Sequence, residues 1–122
     1  MSAIILTLPL PPTANHLFAN VKGYGRTKTA AYKRWIHEAG WELAIQRAEH
    51  IAGWYDLAVY LPADTNGDSD NRIKALSDLL GKHGVISDDS YAWSVRVYRT
   101  HSIAKGCRVE LRAVPEDERA AA

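Results

Sequence analysis

The fold of this chain is decided by residues 54–81, whose sequence is WYDLAVYLPADTNGDSDNRIKALSDLLG. The β-rich, alternating stretch 54–61 predicts a strand, which Pro62 stops. After a polar loop, apolar residues recur at three- and four-residue spacing, which predicts a helix over 70–81. The buried face of this helix consists of Ile73, Leu76, Leu79 and Leu80. Gly81 is the residue expected just beyond its C-terminus.

Similar patterns on either side complete the fold. Residues 3–8 predict a first strand that ends at a proline cluster, and residues 16–28 predict a mobile loop. A helix over 29–50, with Thr29 as its N-cap, follows the loop. Two further strands, 91–98 and 107–114, are expected to form a hairpin. The sequence thus predicts an α/β (α+β) fold in the order β-α-β-α-β-β, with a mixed sheet of about four strands and two main helices.

Length and composition set the broad class of the protein. A chain of 122 residues, 47% hydrophobic and 24% charged, is typical of a single soluble globular domain. We expect this domain to cover residues 1–115 and residues 116–122 to be a disordered tail. The apolar runs are too short to cross a membrane, and we expect a cytoplasmic protein. The single cysteine, Cys107, excludes an internal disulfide and is expected in the core.

Acidic residues are crowded into one part of the chain. Six of the fourteen lie within about 25 positions, namely Asp64, Asp68, Asp70, Asp78, Asp88 and Asp89. Crowded carboxylates repel one another and raise one another's pKa, whereas a bound divalent cation turns the repulsion into ligation. The segment therefore predicts a metal site.

Helix geometry decides which of these residues can meet. Asp70, Lys74 and Asp78 are spaced by four and share one face of the predicted helix. Eleven helical residues rise roughly 16 Å, and the seven residues 81–87 span roughly 23 Å when extended. Asp88 and Asp89 can therefore return toward the start of the helix.

Converged carboxylates beside a lysine suggest phosphodiester chemistry. The carboxylates would hold Mg²⁺, or Mn²⁺ in its place, which activates water and stabilises charge on the phosphate. Lys74 would neutralise charge developing at the scissile phosphate. The alternative is that Lys74 forms only a surface ion pair with Asp70, worth a few tenths of a kcal/mol.

Other common sites do not match the sequence. An EF-hand counted from Asp64 has Ser69 where glycine is needed and Ala75 where glutamate is needed. A Gly-x-Ser-x-Gly nucleophile elbow is absent, as is a Walker-type phosphate loop, so we expect no nucleotide cofactor.

The net charge of +1 conceals two basic segments. Residues 22–34 and 96–108 each carry several cations and no acid, which suits a polyanion such as nucleic acid, although solvated surface is the alternative. Phe18 and Tyr24, in the predicted loop, can stack on bases or pack down. Four tryptophans (Trp35, Trp41, Trp54 and Trp93) fall in regular elements and are expected in the core or an interface.

Several of these motifs together resemble one family. They are Leu8-Pro-Leu-Pro-Pro-Thr-Ala-Asn15, Gly25-Arg-Thr, Ala31-Tyr32, Asp68-x-Asp70-Asn71-x-x-Lys74-x-x-x-Asp78-x-Leu80 and Asp88-Asp89. In this order they are similar to the RusA-type Holliday-junction resolvases. The resemblance extends from the first strand to Val114, and the Asp-x-Asp-Asn-x-x-Lys block is its most specific part.

The resemblance implies a small homodimeric, Mg²⁺-dependent endodeoxyribonuclease, bacterial or phage-encoded, that resolves four-way DNA junctions by paired symmetric cuts. It places the catalytic residues at Asp68, Asp70, Lys74 and Asp89, and the metal ligands at Asp68, Asp70, Asp88 and Asp89. The candidates for DNA contact are Asn15, Lys22, Tyr24, Arg26, Lys28, Lys33, Arg34, Asn71, Arg96, Arg99 and Lys105. The alternatives are a non-catalytic module that binds branched DNA and a phosphohydrolase for small nucleotides.

Overall fold

A mixed four-stranded sheet with two main helices forms the body of the molecule, as the sequence predicts. The computed structural model describes residues 3–13, 17–67 and 69–121. The strands are β1 (Ile4–Leu8), β2 (Phe18–Val21), β3 (Gly25–Lys28), β4 (Tyr55–Pro62), β5 (Ala92–Thr100) and β6 (Cys107–Ala113). The helices are α1 (Ala30–Gln46), α2 (Ser69–Lys82) and a short α3 (Glu116–Ala121).

The order of the sheet is β1-β6-β4-β5, with β4 and β5 parallel and the other pairs antiparallel. The predicted hairpin between the last two strands is therefore wrong, because β6 lies between β1 and β4. Cys107, Val109 and Leu111 alternate as fully buried residues, which suits a central strand. β5 has no fully buried residue and occupies the edge, where it exposes Trp93, Val95 and Tyr98.

Helix α1 begins as predicted and ends earlier. The Thr29 hydroxyl accepts a hydrogen bond from the Tyr32 amide at 3.1 Å, which confirms the N-cap. Arg47, in a left-handed conformation with φ of 51°, ends the helix three residues before the predicted position at residue 50.

Helix α2 continues past Gly81, so the predicted C-terminal glycine is wrong. Gly84, with φ of 73°, fills that position instead. Its amide bonds to the Gly81 carbonyl at 3.2 Å, and the Val85 amide bonds to the Leu80 carbonyl at 2.9 Å. These two bonds form a Schellman motif, closed by the buried side chains of Leu80 and Val85.

Residues 17–28 form a hairpin rather than the predicted irregular loop. β2 and β3 pair antiparallel as a separate two-stranded sheet. Phe18 packs edge-on against Tyr32 with ring centroids 5.5 Å apart, and the Arg26 guanidinium lies 4.0 Å above the Phe18 ring. Phe18 therefore packs down, whereas Tyr24 at the tip is 81% exposed.

The C-terminal segment, for which we expected no regular structure, is helical from Glu116. The Glu118 carboxylate accepts two hydrogen bonds from Arg112 of β6, at 3.1 and 2.9 Å, which ties α3 to the sheet. Cys107 is buried as predicted. Within the described residues, every helix is too short or too polar to span a bilayer.

Candidate active site

The crossover from β4 through α2 to β5 brings two acidic segments together. A single 3₁₀ turn, Asp89–Tyr91, precedes β5, and Asp88 is its N-cap. The Asp88 carboxylate accepts a hydrogen bond from the Ser90 amide at 3.0 Å. This cap fixes the backbone of the turn so that Asp89, its first residue, reaches toward the middle of α2.

Lys74 joins the two segments. Its ammonium group donates to the Asp89 carboxylate at 3.0 Å and lies 3.4 Å from Asp78, one turn along α2. The side chains are half-exposed, at 64% for Lys74, 43% for Asp89 and 51% for Asp78. The hydrogen bond to Asp89 and, as the next largest cause, the charge of Asp78 raise the pKa of Lys74 above its ordinary value. The amine therefore stays protonated at neutral pH.

Asp88 is ionised for a different reason. Hydrogen bonds from Ser90, with a smaller contribution from the charge of Lys74, hold the pKa of Asp88 below its ordinary value. The site therefore combines an ionised carboxylate with a protonated amine, side by side in a cavity of about 390 Å³ that is also lined by Ser77 and Lys82.

A buried tyrosine lies behind the two aspartates. Tyr55, the first residue of β4, is fully buried, and its hydroxyl has no hydrogen-bond partner among the described residues. Burial, then the charges of Asp89 and Asp88, raise the pKa of Tyr55 above its ordinary value. Its proton is thus retained, and the hydroxyl stays a donor close to the acidic groups.

Asp70, the remaining predicted metal ligand among the described residues, lies at the start of α2. Asp70 and Asn71 are in the first turn, with Asp70 one helical turn before Lys74. Asp68 and Asn15, also predicted site residues, lie outside the described residues. Within residues 3–13, 17–67 and 69–121, no three His, Cys, Asp or Glu side chains form a metal-binding group.

Sequence reasoning missed Arg72, a buried cation that shapes the same region. Its side chain is 4% exposed; its Nε donates to the Pro11 carbonyl at 3.1 Å, and a second nitrogen donates to the Asn66 carbonyl. Arg72 thereby fixes the loop two residues before Asp68. The position could have been noticed, because it is four residues before Leu76 and so lies on the buried side of the helix.

The predicted cations divide between two parts of the surface. Lys22, Arg26 and Lys28 are exposed on the hairpin, and Lys33 and Arg34 follow on α1. Arg96 and Arg99 lie on the edge strand β5, with Lys105 in the turn before β6. The sequence reading missed Lys82, although its spacing of four from Asp78 and eight from Lys74 puts it on their face of α2.

A comparison with known families gives one match over most of the chain. The family model described as endodeoxyribonuclease RusA matches residues 9–112 of the 122 residues. No curated protein matches the chain at a significant level. The matched range includes all of α2 and the 3₁₀ turn, the two elements that Lys74 and Asp89 connect.

Proposed function

Because the chain belongs to the endodeoxyribonuclease RusA family, we propose that it cuts four-way DNA junctions as a metal-dependent endonuclease. The observation that carries this proposal is the 3.0 Å contact between Lys74 and Asp89. It joins two parts of the acidic motif that are 15 residues apart in the chain, inside a cavity open to solvent. Both side chains are about half-exposed, so their ion pair contributes little to the stability of the fold.

The chemistry of the donor groups fits Mg²⁺ or Mn²⁺. Asp88 and Asp89 offer carboxylate oxygens at an exposed site, and a hard cation that keeps several waters suits such ligands. We propose that these two residues hold the ion together with Asp68 and Asp70. When bound, the ion supplies an activated water and neutralises charge on the phosphate.

Lys74 has a separate role in the proposed reaction. Its ammonium group is held at the wall of the cavity by Asp78 and Asp89 and stays charged at neutral pH. A scissile phosphate entering the cavity would meet this fixed positive charge, which stabilises the extra negative charge of the transition state. Asp78 would then act by orienting Lys74.

We further propose that the protein works as a homodimer. A four-way junction has approximate two-fold symmetry, and its resolution requires two cuts related by that symmetry. A dimer with one site in each subunit provides this arrangement. Sedimentation with and without a four-way junction measures the assembly, and a complex of one subunit per junction would contradict this part of the proposal.

The proposal is tested by cleavage of a four-way junction in Mg²⁺, with a linear duplex and a free nucleotide as comparison substrates. We expect Asp70→Asn and Asp89→Asn to lose cleavage by at least about 10²-fold and to keep junction binding. Asp117→Asn, which makes the same chemical change on the exposed face of α3, is the matched control and should cut like the parent.

The outcomes separate the alternatives. A parent protein that binds junctions equally well with and without Mg²⁺ and produces no nick is a non-catalytic module for branched DNA. Preferential hydrolysis of the free nucleotide identifies a small-molecule phosphohydrolase. If Asp70→Asn or Asp89→Asn cuts the junction as fast as the parent, the assignment of the metal ligands is wrong.

A further inference from the structure

A continuous groove runs along the contact between α1 and α2. It consists of three adjoining cavities of about 390, 380 and 390 Å³. The first contains Lys74 and the acidic residues, and it shares Asp78 and Lys82 with the second. The second shares Lys33 and Lys82 with the third. Lys82 therefore lines the whole groove, which leads away from the candidate active site.

The middle of the groove is basic. Lys28, Lys33 and Lys82 surround it, and Asp78, at the end nearest the active site, is the acid among its lining residues. Asp78 already faces Lys74 at 3.4 Å. The floor is apolar, formed by Ile36, Ala75 and Leu79. Cations above an apolar floor suit a ligand with negative charge along its backbone and aromatic faces inside.

The far end of the groove carries an exposed tryptophan. Trp41 is 67% exposed, which is unusual for so large an apolar side chain and excludes it from the core, one of its two predicted places. His37 and His83 lie beside it in the third cavity. Along α1, Trp41 is eight residues from Lys33, or about 12 Å. This length spans several phosphates of a DNA strand.

We propose that the groove between α1 and α2 holds the DNA strand that leads away from the cleavage site. Lys28, Lys33 and Lys82 contact its phosphates, and Trp41 stacks on a base of this strand that is unpaired and outside the duplex stack. The inference rests on the proposed function, because the strand enters the groove from the cavity of Lys74 and Asp89. It adds Lys82 and Trp41 to the residues that the sequence predicts to contact DNA.

A second copy of the chain is the alternative occupant of this groove. Packing two copies through the middle cavity of this groove would bury three ammonium groups beside a single carboxylate on each side. Burial of unpaired charge is costly, whereas phosphates neutralise it directly. The charge of the groove therefore favours DNA.

The test is equilibrium binding of a four-way junction without divalent cations, measured over a series of salt concentrations. Each lost phosphate contact should reduce the slope of log affinity against log salt by about 0.7 to 0.9. We expect a change of about 1.4 to 1.8 for the double variant Lys33→Gln/Lys82→Gln. Arg47→Gln removes one positive charge on exposed surface outside the three cavities and should leave the slope unchanged.

Trp41→Ala probes the other half of the proposal. Loss of one stacked base should weaken binding by about 5- to 150-fold, with no change in the salt slope because no charge is removed. Lys82→Arg keeps the charge and should restore the slope that Lys82→Gln loses. Thermal unfolding of each variant identifies any loss of fold. If Lys82→Gln does not fold, the salt slope of Lys82→Arg, which should equal that of the parent, tests the role of the charge at this position.

Three results would overturn the inference. They are a parental slope in Lys33→Gln/Lys82→Gln, an equal reduction in Arg47→Gln, and a Trp41→Ala protein whose defect is the loss of a dimer in sedimentation. A parent that neither binds nor cuts junctions refutes the proposed function itself. A parent that binds and cuts while the groove variants match it refutes only the groove.

Discussion

At the scale of single residues, Lys74 shows how a half-exposed amine is held in one place by two carboxylates. Surface ion pairs contribute little stability, because water competes for both charges and the long side chain loses freedom. The two contacts of Lys74 therefore fix the position and the charge of its ammonium group and add little to the stability of the fold. The pKa of Lys74 is raised chiefly by its hydrogen bond to Asp89 and next by Asp78.

The contacts of Lys74 with Asp89 and Asp78 give a prediction for its titration. Titration of Lys74, followed by NMR of its side-chain carbon next to the amine, should show a midpoint above that of an ordinary lysine. Asp89→Asn and Asp78→Asn should each lower the midpoint, because each removes a hydrogen bond and a charge that raise the pKa of Lys74. The raised pKa stabilises the folded state at all pH values below the ordinary lysine pKa, and this stabilisation is lost as pH rises through the folded value. Equal midpoints in the parent and both variants would contradict the geometry.

Cys107 supports a second prediction at this scale. Burial raises its pKa to about 12, from an ordinary value of 9. The folded thiol should therefore resist a thiolate-specific reagent at pH 8 and react at once in denaturant. Because the unfolded thiol ionises first, the free energy of unfolding should fall as pH rises from 9 to 12. Substitution by serine removes the thiol and serves as the comparison, and rapid labelling of the native parent would refute this assignment.

The residues of the site differ in how far the sequence predicts them. Loop reach, which is local geometry, predicts that Asp89 can return to α2. It does not predict the contact with Lys74, for which the sequence suggested Asp70 as the partner. Helix spacing could have placed Arg72 on the buried side of α2, but its hydrogen bonds could not be predicted, because only the folded chain brings the Pro11 and Asn66 carbonyls to it. The burial of the Tyr55 hydroxyl likewise depends on the side chains that pack around it in the folded chain.

At the scale of elements, the end of α2 predicts that alanine substitutions at two of its glycines change the free energy of unfolding in opposite directions. Gly84 has φ of 73° and closes the helix, whereas Gly81 lies inside the helix, with open space where a Cβ would be. Gly84→Ala should lower the free energy of unfolding by about 1 to 2 kcal/mol. Gly81→Ala should raise it by about 0.5 to 1 kcal/mol. Chemical denaturation measures both, and the reverse signs would place the helix end at Gly81.

The elements that the sequence misplaces are those whose partners are distant in the chain. Strands β5 and β6 are consecutive, and their hairpin was predicted from this adjacency alone. In the structure each pairs with β4 instead, on opposite sides. The β2–β3 hairpin was missed for another reason. Its residues alternate poorly between apolar and polar, and it is anchored by tertiary contact of Phe18 with Tyr32.

At the scale of the whole molecule, the sheet and the hairpin differ in how they are supported. β4 lies between β5 and β6, and Leu57, Val59 and Leu61 on it are fully buried. The hairpin is a separate two-stranded sheet whose outer residues are exposed. A two-stranded hairpin is marginally stable by itself, so its stability here depends on the contacts at its base.

Hydrogen exchange tests this difference. Amides of β4 should exchange only through global unfolding, with rates that rise steeply with added denaturant. Hairpin amides should exchange through local opening and respond weakly to denaturant. Protection should decline from the Phe18–Lys28 pair, next to the buried Leu17, to the Val21–Gly25 pair at the tip. Adding a four-way junction should slow exchange at the tip if Tyr24 and its basic neighbours contact DNA. Uniform exchange across β4 and the hairpin would show instead that the molecule opens as one unit.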